Sequence, residues 1–462
     1  MNHIERQPIE WLNPAILLLG CAFLFGGASQ ENVIRLAVIE LVAVPVLLWS
    51  VYQLWRSGDW RSHVFPIGVL LAIAVIPLLQ LLPLPPQVWR QLPGRGDLST
   101  ALKLAGVALP WAPITLDPES TLQCVLALLP PAAMFLSVIG SGDRQRRVLV
   151  SATLIWAVLS IALGAAQLTG GEQSPLYLYH PTNEGLPTGL FSNRNHQSIF
   201  LLTALPMATL WVIGDRRESW RVSPAVSLAL FSLLIVGVVA TRSRAGLLLM
   251  GPATAASLAL AWKRDRFGLG GRTFAIIVGV ALVAILAAAQ YLVANVLPRF
   301  DLNQTPELRF DTWPQVLAAA SNYLPFGSGV GTFQPVYQSV EPLSLLQSEF
   351  WNHAHNDYLE LWLETGWLGV AIFLGFLVWF VRGAFIAWKP GRDGEDKSLP
   401  RAGTIIVGLL LAHSIVDYPI RTEALATVFA LACGLITIHP ALNVSRPQLR
   451  AVRLAGKRIG DQ

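Results

Sequence analysis

Four short polar stretches interrupt an otherwise apolar chain, and each carries side chains able to do chemistry. They are Phe191-Ser192-Asn193-Arg194-Asn195-His196, Thr241-Arg242-Ser243-Arg244, Glu307-Leu308-Arg309 with Trp313, and His353-Ala354-His355-Asn356-Asp357. The last is the sharpest. Asp357 followed three residues later by Glu360 has the pattern of a capping box, with Asp in place of Ser or Thr, so a helix is predicted to begin there. His353, His355 and Asn356 then sit just before a helix N-terminus, where free N–H groups and the positive dipole end favour anions. A histidine so placed suits a general base acting on a hydroxyl near neutral pH. The same residues have two blander readings. His-x-His-x-Asp has the look of a metal site, but clear ligands are few and no second cluster has metal spacing. Alternatively, the histidines hydrogen-bond the helix start. That role is assigned to His353, and the base role to His355.

The arginines make a second argument. Arg242 and Arg244 fall in a very short turn between two apolar runs. An arginine at a membrane edge is costly unless it snorkels or pairs. Snorkelling to lipid phosphates accounts comfortably for one such residue. Arg194, Arg242, Arg244 and Arg309 together suit an anionic ligand clamped by several side chains, such as a lipid-linked diphosphate. His413 and Asp417, four residues apart on one face of an apolar run, serve either such a site or helix packing. Gly327–Gly331 lacks the Lys-Ser/Thr of a phosphate loop and reads as a flexible turn. No Asp-x-Asp pair, Walker motif, haem spacing or iron–sulfur spacing is present. The sequence therefore predicts no cofactor and no metal, and an activated donor that arrives in the membrane.

The elements that must position these clusters follow from composition. Of 462 residues 53% are hydrophobic and only 13% charged, about half the charge of a soluble domain. A disordered chain, a disulfide-rich module and a typical soluble enzyme are excluded. Cys21, Cys124 and Cys433 lie inside apolar runs and predict core packing. A helix needs about 20 mostly apolar residues to cross a bilayer. Twelve runs are candidates, several of them short: Pro14–Ala28, Val33–Trp55, Val64–Leu82, Thr121–Ile139, Val148–Leu168, Gln197–Ile213, Ala225–Ala240, Ala245–Trp262, Phe274–Val296, Tyr358–Phe380, Gly403–Val416 and Leu425–Ile438. The first does not read as a cleaved signal peptide. With the N-terminus placed in the cytoplasm, most of the 33 Lys and Arg residues fall on cytoplasmic segments, as the positive-inside rule asks. The net charge of +5 is thus a topology device, not a nucleic-acid surface.

The predicted fold is an all-α integral membrane protein of about twelve spans with both ends cytoplasmic, a single polytopic domain over residues 1–462. A first long external loop covers 83–120 and opens on Pro-rich sequence suited to an interfacial wrap. The main external loop covers 297–357, between the ninth and tenth spans. There Thr305-Pro306-Glu307 predicts an N-cap and first turn, with a short amphipathic helix following and Pro314 bending it. Arg392–Arg401 reads as a solvated cytoplasmic loop, and 439–462 as a basic cytoplasmic tail.

Residues 353–369, HisAlaHisAsnAspTyrLeuGluLeuTrpLeuGluThrGlyTrpLeuGly, resemble the signature of the O-antigen ligase/polymerase superfamily. That superfamily includes lipopolysaccharide O-antigen ligases, exopolysaccharide polymerases and some protein O-oligosaccharyltransferases. The order of motifs from about Gly189 to Gly369 strengthens the likeness: PheSerAsnArgAsnHis, then ThrArgSerArgAla, then GluLeuArg with Trp, then ProPheGlySerGlyValGlyThrPhe, then the His-Asn motif. LeuGlnLeuLeuProLeuProPro near residue 80 is similar to exopolysaccharide members. The resemblance implies an inverting, metal-independent glycosyltransferase, related in fold to membrane glycosyltransferases of the C type, in the bacterial inner membrane with its site facing the periplasm. It implies a polyprenyl-diphosphate-linked glycan as donor and a glycan or lipid A-core acceptor. Arg244 and Arg309 fall on the family's diphosphate-binding positions, and His355 on the position of the acceptor's base. Arg194, Arg242, Asn193, His353 and Asn356 are then substrate-binding residues. Ala245 departs from the glycine frequent there. A lipid-linked oligosaccharide transporter is the rival from another class, although no internal repeat supports it.

Overall fold

The structure is a computed structural model, describing residues 13–28, 32–182, 185–213, 223–262, 308–346, 350–390 and 396–437. Among them it is helical, with no strand beyond one isolated bridge between Leu84 and Ala112. The helices are α1 (Pro14–Phe25), α2 (Val33–Ser57), α3 (Val64–Gln80), α4 (Pro86–Trp89), α5 (Gly96–Leu104), α6 (Pro118–Ala127), α7 (Leu129–Ile139) and α8 (Asp143–Thr169). They continue as α9 (Arg194–Ile213), α10 (Pro224–Ala240), α11 (Arg244–Trp262), α12 (Leu308–Ser321), α13 (Phe333–Val340), α14 (Asp357–Trp388), α15 (Ser398–His413) and α16 (Glu423–Ile436).

Among the described residues seven helical stretches are long and apolar enough to cross a membrane, and α1, α10, α15 and α16 are shorter apolar helices. Every predicted run coincides with a described helix except Phe274–Val296, which lies outside the described residues, as do Thr305, Pro306 and Glu307. The run predicted over Thr121–Ile139 is two helices, α6 and α7, meeting at Leu128. Pro130 and Pro131 explain the division, because neither has an N–H to continue the ladder. The chain is a multi-pass membrane protein.

α9 is the buried centre. Every residue from His196 to Leu210 is buried, and the helix packs against α8, α10, α11 and α15. A helix apolar all round belongs in such a position. Gly246 in α11 lies against Ser198 of α9, where a Cβ would overlap the serine hydroxyl, so the N-terminal turns of the two helices meet closely.

One end of the bundle gathers the polar segments. Ser192 N–H donates to the Gly27 carbonyl, Ala424 N–H to Gly26, and Asp357 N–H to Ser414, each at 3.0–3.1 Å. The first long loop docks there too. Leu116 N–H reaches the Ser328 carbonyl at 2.9 Å, and the Thr121 hydroxyl reaches Val330 at 2.7 Å. This loop is partly helical, through α4 and α5, where the sequence suggested an irregular wrap. Pro86 sits in the first turn of α4, the one helical place where its missing N–H costs nothing.

Two expectations are corrected. Gly327–Gly331 is not a flexible turn. α14 breaks at Gly366 (φ 57°, ψ −146°), and the carbonyls freed at the break are taken up by this segment. Ser328 N–H donates to Leu363 and Gly329 N–H to Glu364, both at 3.0 Å. The Gln80 amide adds a bond to the Glu364 carbonyl at 2.9 Å, while its oxygen accepts the Val330 N–H at 2.9 Å. A broken helix in a membrane protein is tolerated where neighbours satisfy its backbone in this way. A Cβ at Gly366 would fall on the Pro325 carbonyl, and its positive φ with a strongly negative ψ is a backbone region kept almost entirely to glycine. Gly366→Ala is therefore expected to lower the thermal midpoint in detergent well beyond Gly375→Ala, a site with open space for a Cβ. Equal midpoints would contradict the bracket.

The second correction concerns Arg392–Arg401. Residues 391–395 are outside the described set, but the rest is not merely solvated. Lys397 Nζ donates to the Ile386 carbonyl at 3.1 Å and Arg401 Nε to Ala387 at 2.9 Å, so both close the C-terminus of α14. Cations there also meet the negative dipole end. Arg147 pairs with Asp396 at 3.0 Å.

Candidate functional site

The site is built around the start of α14. Its N-cap is Asn356, not Asp357: the Asn356 side chain accepts the N–H groups of Tyr358 and Leu359 at 3.0 and 3.2 Å. Asp357 is the first helical residue, and its Oδ2 accepts the Ser414 hydroxyl at 2.7 Å. Glu360 does not close a capping box on the cap residue. Its Oε2 accepts the Ala354 N–H at 3.0 Å and its Oε1 meets His353 Nδ1 at 2.8 Å. The shift arises because the preceding loop folds back, with His355 in the left-handed region at φ 50°. A non-glycine residue there is uncommon, and such residues gather at functional sites.

His355 Nδ1 lies 3.1 Å from Asp417 Oδ1, which also accepts the Tyr418 N–H at 3.0 Å. Asp417 is fully buried, whereas the His355 side chain keeps 18% exposure. Burial alone would push the Asp417 carboxyl up. The His355 hydrogen bond, and the imidazoles of His355, His196 and His413, outweigh it and hold the carboxyl below the usual range. An ionised carboxylate only accepts hydrogen bonds. In the neutral imidazole, His355 Nδ1 then carries the proton of this bond and Nε2 keeps a lone pair. That is the tautomer a general base needs, held by a carboxylate that also stabilises the imidazolium formed on proton uptake. Because the Asp417 carboxyl is depressed, its contribution to folding is present above the usual carboxylate pKa and is lost only as pH falls through the depressed value.

His413 and Asp417 are both fully buried, and the Asp417 N–H donates to the His413 carbonyl at 3.1 Å. α15 ends at His413, and Asp417 lies in the turn beyond, with its carboxylate on His355. Tyr418 is the centre of a ring of imidazoles. The rings of His353, His355 and His196 stand 4.3, 4.9 and 5.0 Å from it, centroid to centroid. Both His196 ring nitrogens and Asp417 Oδ2 are buried without a hydrogen-bond partner among the described residues. Trp313 of α12 donates to the Ala354 carbonyl at 3.1 Å, tying α12 to the histidine loop.

The arginines divide. Arg244 opens α11, half-buried, beside Ser243, whose hydroxyl accepts the Gly246 N–H at 3.2 Å. Arg242 is exposed, at φ 53°. Arg194 opens α9 and is half-buried. Asn193 is buried and accepts the Asn195 N–H at 2.8 Å, a capping role at the start of α9. Arg309 stands in the first turn of α12, but its side chain lies outside the described residues. The fold thus brings His353, His355 and Asn356 together with Asp417, and His196 against Tyr418 carries the start of α9 to the same place.

Arg421 was not foreseen. Its guanidinium meets Asp357 at 3.4 Å, Glu360 at 3.2 Å and Glu364 at 3.0 Å. The signal was available: Asp417 and Arg421 are charged residues in a short stretch between two apolar runs, the pattern that drew attention to Arg242 and Arg244. Among the described residues no group of three or more His, Cys, Asp or Glu side chains is arranged to hold a metal ion.

The described residues thus form an all-helical multi-pass chain with an imidazole–carboxylate pair at one pole of its bundle. Residues 229–374 match the family model described as O-antigen ligase, a span running from α10 through the histidine loop into α14. The match covers about a third of the chain, and over that segment the chain is similar to the O-antigen ligase family. No curated protein matches the chain. Arg194, His196, His413, Asp417 and Arg421 all lie outside the matched segment.

Proposed function

We propose that the protein is an inverting membrane glycosyltransferase that moves a polyprenyl-diphosphate-linked oligosaccharide onto an acceptor hydroxyl at the periplasmic face of a bacterial inner membrane. The observation that carries this reading is the His355–Asp417 pair, which gives an acceptor hydroxyl a base at Nε2. In the reaction, Nε2 takes the hydroxyl proton as the oxygen attacks the anomeric carbon from the face opposite the diphosphate. The carbon–oxygen bond to the phosphate breaks, and its electron pair leaves with polyprenyl diphosphate. Arg244 and Arg309 meet the charge that builds there, the electrostatic contribution most such sites depend on. Arg194 and Arg242 extend the clamp, and the His353–Asn356 loop borders the acceptor.

No metal step is needed, so turnover is expected to persist in EDTA. Loss on chelation with recovery on adding a divalent ion would reassign His353, His355 and Asp357 as ligands. Cysteines placed at 242 and 309 are expected to label from outside intact cells, and one at 397 is not. The reverse pattern would overturn the sidedness. The function itself is tested by reconstitution with a lipid-linked oligosaccharide and analysis of products. A ladder identifies a polymerase, and a single transfer to a second acceptor identifies a ligase. Movement across the bilayer without a new glycosidic bond would overturn the reading in favour of a transporter.

A further inference from the structure

Asp357, Glu360 and Glu364 stand on one face of α14, three and then four residues apart, and a single guanidinium meets all three. Side chains at this spacing are neighbours on a helix. Each carboxylate uses its remaining capacity on a different segment. Asp357 holds the Ser414 hydroxyl after α15. Glu360 holds the Ala354 N–H and His353 Nδ1. Glu364 Oε1 holds the N–H groups of Gly331 and Phe333, at 3.0 and 3.3 Å. The end of α15, the histidine loop and the glycine-rich bracket are thus clamped by carboxylates that share one cation. Glu360 and Glu364 are essentially inaccessible. Burial would weaken the Arg421 charge, but Glu360, Glu364 and Asp357 more than offset it, so the guanidinium stays charged. Without it three carboxylates so close together would face one another with no cation between them.

We propose that Arg421 is a positioning residue: its charge offsets part of the repulsion on the carboxylate face of α14 and so fixes the histidine loop and the Gly331–Phe333 bracket around the site. Its fork is occupied by carboxylates, so it is not a donor-binding arginine like those assigned to the diphosphate. The functional consequence rests on the glycosyltransferase reading above, while the structural one stands alone.

Two readouts on the full-length protein in detergent separate these. Hydrogen exchange needs no substrate. Arg421→Gln is expected to speed exchange at least tenfold in peptides spanning 329–334 and 352–356, with little change across 198–208 of α9. Adding Glu364→Gln removes one charge but keeps an acceptor oxygen for Gly331 and Phe333, and is expected to restore most of the protection. Arg421→Lys keeps the charge, loses the planar fork, and is expected to fall between; it also decides the matter should Arg421→Gln not fold. In the second readout, turnover of a lipid-linked oligosaccharide falls at least tenfold in Arg421→Gln, while the KM for donor stays within about twofold. Unchanged exchange in both variants, no recovery on adding Glu364→Gln, or a donor KM raised as far as in Arg244→Ala would each overturn the proposal. If wild-type protein forms no product from the donor while exchange responds as stated, the transferase reading fails and the positioning role stands.

Discussion

Asp417→Asn is expected to lower turnover almost as far as His355→Ala, by about 10²–10⁴-fold, the usual worth of a positioned acid–base group. The amide leaves the volume nearly unchanged but removes the charge. It can also present N–H to Nδ1, which would move the imidazole proton to Nε2, where the acceptor proton has to go. The Tyr418 N–H can still be accepted by the amide oxygen, so the turn beyond α15 has a reason to keep its shape. The double variant is expected to be little worse than either single one, because residues acting as a unit are grossly non-additive. Donor affinity should barely move in any of the three. Turnover of Asp417→Asn within a few fold of wild type, measured on reconstituted protein, would separate the carboxylate from the base.

Arg244→Ala is the second large effect. An arginine opening α11 at the pole of the bundle that also holds the start of α9 is placed for an anion, and a charge-assisted bond to phosphate is stronger than a neutral one. Its loss is expected to raise the donor KM and to lower turnover by about 10²–10³-fold, as removal of one preorganised donor to a developing charge typically does. Arg244→Lys should recover part of the affinity, because it restores a point charge but not the fork. The contrast with His355→Ala, in which binding survives and chemistry does not, divides donor recognition from acceptor activation. An Arg244→Ala enzyme with unaltered donor KM would leave snorkelling to lipid as its role.

Much of this architecture is legible in the sequence because lipid imposes a simple rule: an apolar run long enough to cross must satisfy its backbone within itself, as a helix. The starts of α9, α11 and α14 were visible as polar stretches abutting such runs. His355 and its place before a helix were legible for the same reason. What single-sequence reasoning misses is pairing across distance. The sequence sets Asp417 beside His413, four residues away, whereas its carboxylate meets His355, 62 positions earlier. Glu360 fitted a local capping pattern, but its oxygens are claimed by His353, Ala354 and Arg421. Gly327–Gly331 looked slack because glycines usually are. Its order comes from carbonyls released by a helix break that only Gly366 permits, and from Gln80, some 250 residues away.

In the proposed reaction His355, set by Asp417, activates an acceptor hydroxyl against a diphosphate-linked glycan. A single-turnover experiment tests it most directly, with purified protein in liposomes, a radiolabelled polyprenyl-diphosphate oligosaccharide and acceptor in excess. Wild-type protein is predicted to release one polyprenyl diphosphate for each new glycosidic bond, with the anomeric configuration inverted, and His355→Ala to bind the donor normally and release almost none. Release at the wild-type rate by His355→Ala, or retention of configuration in the product, would contradict the account.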